Sequence, residues 1–273
     1  MRLSGYQPQY FPRLHYFARV LDSDIFEISD YVQFVKKHAY PAHDGKQKRG
    51  KSYQAHTIIK EHNGTQLLNV PTKNEGLKPI NETTLDYVSQ WNEKHLKTIK
   101  HAYSKAQMIK SLAGDIENIF KKTYPNIAEL NITTIFWAFA RLLGDNNARP
   151  SELTIENINK LLSGAHPFRL KQVVMLSQTD ITPPNQDRDA NDWIIDICKR
   201  YNADEYYYGG TSASAYMDFE RFRKEGINLI EQNWKCAPYS QQYKNAGFIP
   251  NLSIIDLLAN EPIERAREIL QTK

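Results

Sequence analysis

The sequence has only two cysteines in 273 residues, Cys198 and Cys236. Neither belongs to a Cys-x-x-Cys pair, so neither a disulfide framework nor a thiolate zinc site is expected, and a reducing compartment fits. No apolar run reaches the roughly 18 residues that a membrane-spanning helix needs. The opening Met1-Arg2-Leu3-Ser4-Gly5-Tyr6-Gln7-Pro8 lacks the apolar stretch of a secretory signal, so a cytoplasmic protein is expected. His38, His43, His56 and His62 crowd one region, yet their spacings match no zinc template, so no metal is assigned. No motif names a cofactor. Gly209-Gly210-Thr211-Ser212 lacks the Gly-Lys-Ser/Thr ending of a P-loop, and no repeat of solenoid period occurs.

What is present is ordinary for a folded protein: 41% hydrophobic and 24% charged residues, enough to bury a sizeable core. The net charge of +4 is mild but uneven. Lys36, Lys37, Lys46, Lys48, Arg49 and Lys51 face a single acid, Asp44, in that stretch. Such a segment attracts phosphate on a nucleotide, a nucleotide sugar or a nucleic acid. A solvated lysine-rich loop is the competing account.

The order of elements predicts an α/β fold. Leu3 to Tyr6 reads as a strand, Leu14 to Leu21 as a helix and Ile25 to Ile28 as a second strand. Ser29 to Lys51 reads as a long loop or a frayed strand pair. Gln54 to Lys60 and Thr65 to Pro71 flank Asn63-Gly64, a hairpin signal. Helical spacing covers 91–106, 109–122 and 127–143. Lys171 to Ser177, Glu205 to Tyr208 and Ile227 to Glu231 read as further strands, with helices over 191–201 and 215–224 between them. Helices over 252–260 and 262–271 close the chain. Strands joined through helices pair in parallel. The expected architecture is a mixed, mainly parallel, Rossmann-like sheet with a hairpin insertion and a helical subdomain. The expected division is 1–88, 89–165 and 166–273, with the last part completing the sheet of the first.

Several segments resemble the WbqC-like protein family. Its opening signature is matched by Gln7-Pro8-Gln9-Tyr10-Phe11-Pro12, Tyr16-Phe17, Asp24 and Asp30-Tyr31-Val32-Gln33-Phe34. The resemblance continues through Asn63-Gly64, Asn69-Val70-Pro71, Trp91 and Tyr103, returns at Tyr207 to Gly210, Tyr239 and Gln241, and ends on Leu252 to Leu258. It therefore covers nearly the whole chain. Two departures stand out. The family's Gly-Tyr-Phe is His15-Tyr16-Phe17, and its Asn-Arg pair is replaced by Ala42-His43 or Ala55-His56. The resemblance implies surface-polysaccharide (O-antigen) biosynthesis, with transfer of glycine onto an amino sugar as a suggested activity.

Candidate site residues follow from the strand ends, where doubly wound sheets bind ligands. Gln7, Tyr10, His15, Asp30 and Gln33 are expected to line one pocket. His15 and Asp30 are the candidate catalytic groups, since imidazole and carboxylate move protons. Asp24 reads as a turn cap. Gly209 and Gly210 follow a strand and form a candidate anion cradle. Lys46, Lys48 and Arg49 are candidate phosphate contacts. The leading function is acyl or aminoacyl transfer to a nucleotide-linked amino sugar. The alternatives are a nucleic-acid-binding or modifying protein, with Tyr40 and Tyr53 stacking on bases, and a non-catalytic assembly factor.

Overall fold

β1 (Arg2–Tyr6) alternates its side chains between two buried faces, as the middle strand of a sheet must. The computed structural model describes residues 1–41, 47–146, 149–182, 184, 189–209 and 216–272. In it β1 pairs in parallel with β2 (Ile25–Ile28) on one side, Leu3 opposite Ile25 and Tyr6 opposite Ile28. On its other side it pairs in parallel with β8 (Glu205–Tyr208). β7 (Gln172–Met175) extends the sheet beyond β2, and β9 (Asn228–Glu231) extends it beyond β8. The five strands lie in the order β7-β2-β1-β8-β9. The chain thus winds outward from β1 through β2 to β7, then returns to the far side of β1. The reversal falls between β1 and β8.

Right-handed crossovers made in opposite directions put their helices on opposite faces. α1 (Leu14–Leu21) joins β1 to β2 and packs Leu14, Phe17 and Val20 with Phe26, Ile28 and Val173. α6 (Ala190–Arg200) and α7 (Phe219–Lys224) cover the other face, where Ile194, Ile197, Cys198 and Phe222 meet Leu3, Ile25 and Tyr206. α6 starts on a capping box between Asp189 and Asp192.

The middle of the chain adds helices to the α1 side. α2 (Trp91–Ala102), α3 (Ile109–Lys121), α4 (Ile127–Leu143) and α5 (Ile155–Leu162) share a core with α1 and with the closing helices α8 (Ile254–Asn260) and α9 (Ile263–Leu270). α5 was not expected; Thr154 caps it, and Ile158 and Leu162 bury its inner face. The 17-residue α4 begins on Asn126, whose side chain accepts from the Glu129 amide, and stops at Gly144 with φ 100°. Two antiparallel hairpins complete the fold. β5 (His56–Glu61) and β6 (Gly64–Asn69) turn at His62-Asn63, with Gly64 at φ 127°. Where a loop or a frayed pair was expected, β3 (Lys37–Pro41) and β4 (Gln47–Lys51) form a regular ladder. Among the described residues no helix is long and apolar enough to cross a membrane.

Candidate functional site

The segment after β1 is a clamped loop. Phe11 sits at φ 38°, a left-handed conformation that costs a non-glycine residue about 1–3 kcal/mol. Buried bonds hold it there. The Phe11 amide donates to Thr134 Oγ1 (3.0 Å), and its carbonyl accepts from Thr57 Oγ1 (2.7 Å) and Ser253 Oγ (3.1 Å). Asn131 on α4 donates to the carbonyls of Pro8 (2.9 Å) and Gln54 (2.7 Å). Gln54 in turn donates to Gln7 Oε1 (2.7 Å) and accepts from the Val35 amide (2.9 Å). Gln7, at the end of β1, is therefore tied to both flanks of the β3–β4 hairpin.

Beside Gln7 the ladder between β1 and β8 stops at Leu3–Tyr206, short of Tyr6 and Tyr208, which makes the ends of these two strands the candidate crevice. Arg19, on α1, places its guanidinium 4.0 Å over the Tyr6 ring. It also lies against Gly209, the first residue after β8: a Cβ there would fall 2.6 Å from Arg19 Cζ. A side chain at 209 would therefore push the guanidinium out of this place. Arg19 is 4% exposed, and its Nε has no partner among the described residues. The hydroxyls of Tyr16 and Ser4 are also buried without partners, and the Tyr16 ring lies 4.5 Å from that of Tyr6. One turn before Arg19, His15 directs its backbone amide (2.9 Å) and Nδ1 (3.0 Å) to Asn251 Oδ1. An oxygen that accepts both requires the Nδ1–H tautomer, which leaves Nε2 as an acceptor. Burial, reinforced by the Arg19 charge, pulls the imidazole down to about 3, so it is neutral at pH 7.

On the opposite face of the same edge, Glu27 is 1% exposed. Its Oε2 accepts from Ser29 Oγ (2.9 Å), while Oε1 has no partner. Burial pushes its carboxyl up to about 8; the Ser29 bond opposes this and the Asp30 charge adds to it. Gly5 makes room: a Cβ there would lie 2.7 Å from Glu27 Oε2 and 3.3 Å from the Tyr206 hydroxyl. Asp30 joins the ends of β2 and β7 by accepting from the Ser177 amide (2.9 Å) and hydroxyl (2.5 Å).

The model of the WbqC-like protein family matches residues 7–268. The chain belongs to the WbqC-like family. No curated protein and no solved structure matches it.

The family's opening signature is split by this geometry. Gln7 follows β1 and His15 lies in the first turn of α1, while Asp30 sits just past the end of the next strand. Tyr10 does not join them. It is fully buried, bonded to His95 Nδ1 (3.0 Å) and packed edge-on to Trp91, because the loop's left-handed turn sends it into the helical core. Gln33 is exposed and meets Pro79 through a backbone bridge. Gly209 is at the crevice, and Gly210 lies outside the described residues. Lys46 also lies outside them; Lys48 and Arg49 are in β4. Asp24 is a structural anchor, held by the Arg2 amide, Arg169 and Lys171.

Other family positions meet in a second place. Asp256, buried in α8, accepts from the hydroxyls of Tyr239 (2.7 Å) and Tyr103 (2.9 Å) and from Gln241 Nε2 (3.0 Å). Lys60 Nζ donates to Gln241 Oε1 (3.1 Å). This knot fastens the 232–253 segment to β5 and α2. A cavity of about 530 Å³ lies apart from both, on the α1 face, lined by Arg2, Asp22, Arg169, Tyr207, Glu231 and Trp234. Its arginines are already paired with Asp22, Glu205 and Asp24.

The residues that the sequence did not single out are Arg19 and Glu27. The signals were indirect: Arg19 falls four residues after His15, and glycines at 5 and 209 mark close approaches.

Proposed function

We propose that this member of the WbqC-like family is a transferase that acylates or aminoacylates a nucleotide-linked amino sugar for surface-polysaccharide synthesis. The observation that carries the reading is topological. The family's signature loop and the Gly209 turn flank the point where the winding of a parallel sheet reverses, the place where doubly wound folds hold ligands. The basic β3–β4 hairpin rises from the same edge and supplies cations for a diphosphate.

In this reading the sugar amine attacks the donor's acyl carbon. A C–N bond forms, the bond to the donor's leaving group breaks, and the amine proton passes to the leaving group, while neutral His15 Nε2 orients the amine by accepting a hydrogen bond from it. Of the two groups expected to move protons, His15 keeps a ring nitrogen for the task. Asp30 is bonded through both oxygens, so its proposed part is to set the ends of β2 and β7.

A thermal-shift panel tests the reading. UDP-linked amino sugars, nucleoside diphosphates, acyl donors and single-stranded oligonucleotides are compared, since a ligand of the folded state at about 100 times its Kd adds about 2.7 kcal/mol. Stabilisation by a sugar nucleotide, followed by an N-acylated product in mass spectrometry, is the expected result. Stabilisation by oligonucleotides alone would favour nucleic-acid binding. A protein that binds sugar nucleotide but yields no product with any donor would favour a non-catalytic assembly factor.

A further inference from the structure

Among the described residues, Arg19 is a buried cation without a counter-ion. It lies on the sheet-facing side of α1 at 4% exposure, and no carboxylate among the described residues pairs with it. Its Nε is an unanswered donor. The cation–π contact with Tyr6 returns less than the burial of a guanidinium costs. Buried donors in folded proteins are nearly always answered, by protein, water or ligand. The position also favours a ligand: Tyr6 ends β1, Gly209 follows β8, and the guanidinium touches both. The Tyr16 hydroxyl beside Tyr6 is a second unanswered polar group. Tyr216, 53% exposed, lies close enough to feel the Arg19 charge.

We propose that Arg19 is a phosphoryl-binding residue, gripping a phosphate of the nucleotide in the β1–β8 crevice with its planar fork. This deepens the proposed function and rests on it for the identity of the ligand. A guanidinium held over an aromatic ring keeps paired N–H groups that match two oxygens of a phosphoryl group. A diphosphate suits the edge better than a single carboxylate, because the segment whose two flanks are tied to Gln7 is rich in basic residues. Gly209 is part of the device: a methyl group there would displace the guanidinium while leaving the arginine in the sequence.

The test is calorimetric titration of inorganic pyrophosphate and of UDP into the wild-type protein and into Arg19→Met, Arg19→Lys and Gly209→Ala. The melting temperature of each free protein is recorded alongside. Pyrophosphate and UDP should both bind the wild type, and each variant should weaken both by at least about thirtyfold, the loss expected when a buried charge partner is removed or moved. Free Arg19→Met should melt at or above the wild-type temperature, since an unpaired buried charge has been replaced by an apolar side chain. If Arg19→Met does not fold, Arg19→Lys and Gly209→Ala decide the matter. Unchanged UDP affinity in the variants would overturn the Arg19 assignment and leave the nucleotide reading standing. Arg19-dependent pyrophosphate binding without UDP binding would keep the phosphoryl site and remove the nucleotide reading. No binding of either probe to the wild type would overturn both.

Discussion

At the scale of single residues, the account turns on charges placed where water is scarce. Glu27 is the clearest case. Its carboxyl rises from about 4.5 to about 8 on folding, so between those values the native state holds a proton that the unfolded chain has released. The unfolded state then binds fewer protons, and stability falls as pH rises through that window before levelling off. Glu27→Gln removes the titrating group and keeps the shape. Its melting temperature should fall less than the wild type's from pH 5 to pH 8, with a gain on the order of 4 kcal/mol at the upper end. Parallel melting curves for the two proteins would show that Glu27 is ionised in the fold. Neither Glu27 nor Arg19 was legible as a special residue in the sequence. A glutamate in a short strand and an arginine on an amphipathic helix look like ordinary surface positions until the second layer of helices covers them. Tyr10 shows the opposite error: it belongs to the family signature, but the turn at Phe11 delivers it to His95 and the core.

Secondary-structure elements were easier to read. β1, α1, β2 and β8 were legible because each has clear periodicity and a sharp boundary: prolines after β1, aspartates after α1 and a glycine after β8. α4 was legible because Asn126 and Gly144 cap a long apolar run. α5 was missed because eight residues carry only two fully buried positions, too few to stand out. The β3–β4 hairpin was half seen, since its charged composition resembles a loop although its backbone pairs regularly. The hairpin has a testable role. Charge reversal at Lys46, Lys48 and Arg49 should weaken UDP binding and flatten its salt dependence, because exposed charges that attract a phosphate are screened by salt. An unchanged slope would mark it as a solvated arm. The knot at α8 has a structural role instead. Asp256→Ala leaves two buried phenols and an amide without an acceptor, so unfolding in urea should lose about 3 kcal/mol or more. A stability change under about 0.5 kcal/mol with lost UDP affinity would move Asp256 from the fold to the site.

At the scale of the whole molecule, parallel pairing was legible because the strands are linked through helices. The strand order was not, because nothing local in β7 or β8 says on which side of β1 each will pair. That order is what creates the crevice, and the crevice is the central claim. Two openings compete for a ligand: the β1–β8 carboxyl edge, and the cavity bounded by Arg2, Tyr207 and Trp234 near the amino end of β1. Amide hydrogen exchange with and without UDP-glucosamine distinguishes them directly. The account predicts slowed exchange in peptides covering Gly5 to Gln9 and Tyr206 to Gly209, with no change over Ile230 to Trp234 or Leu270 to Thr272. Protection confined to the latter two segments would contradict it.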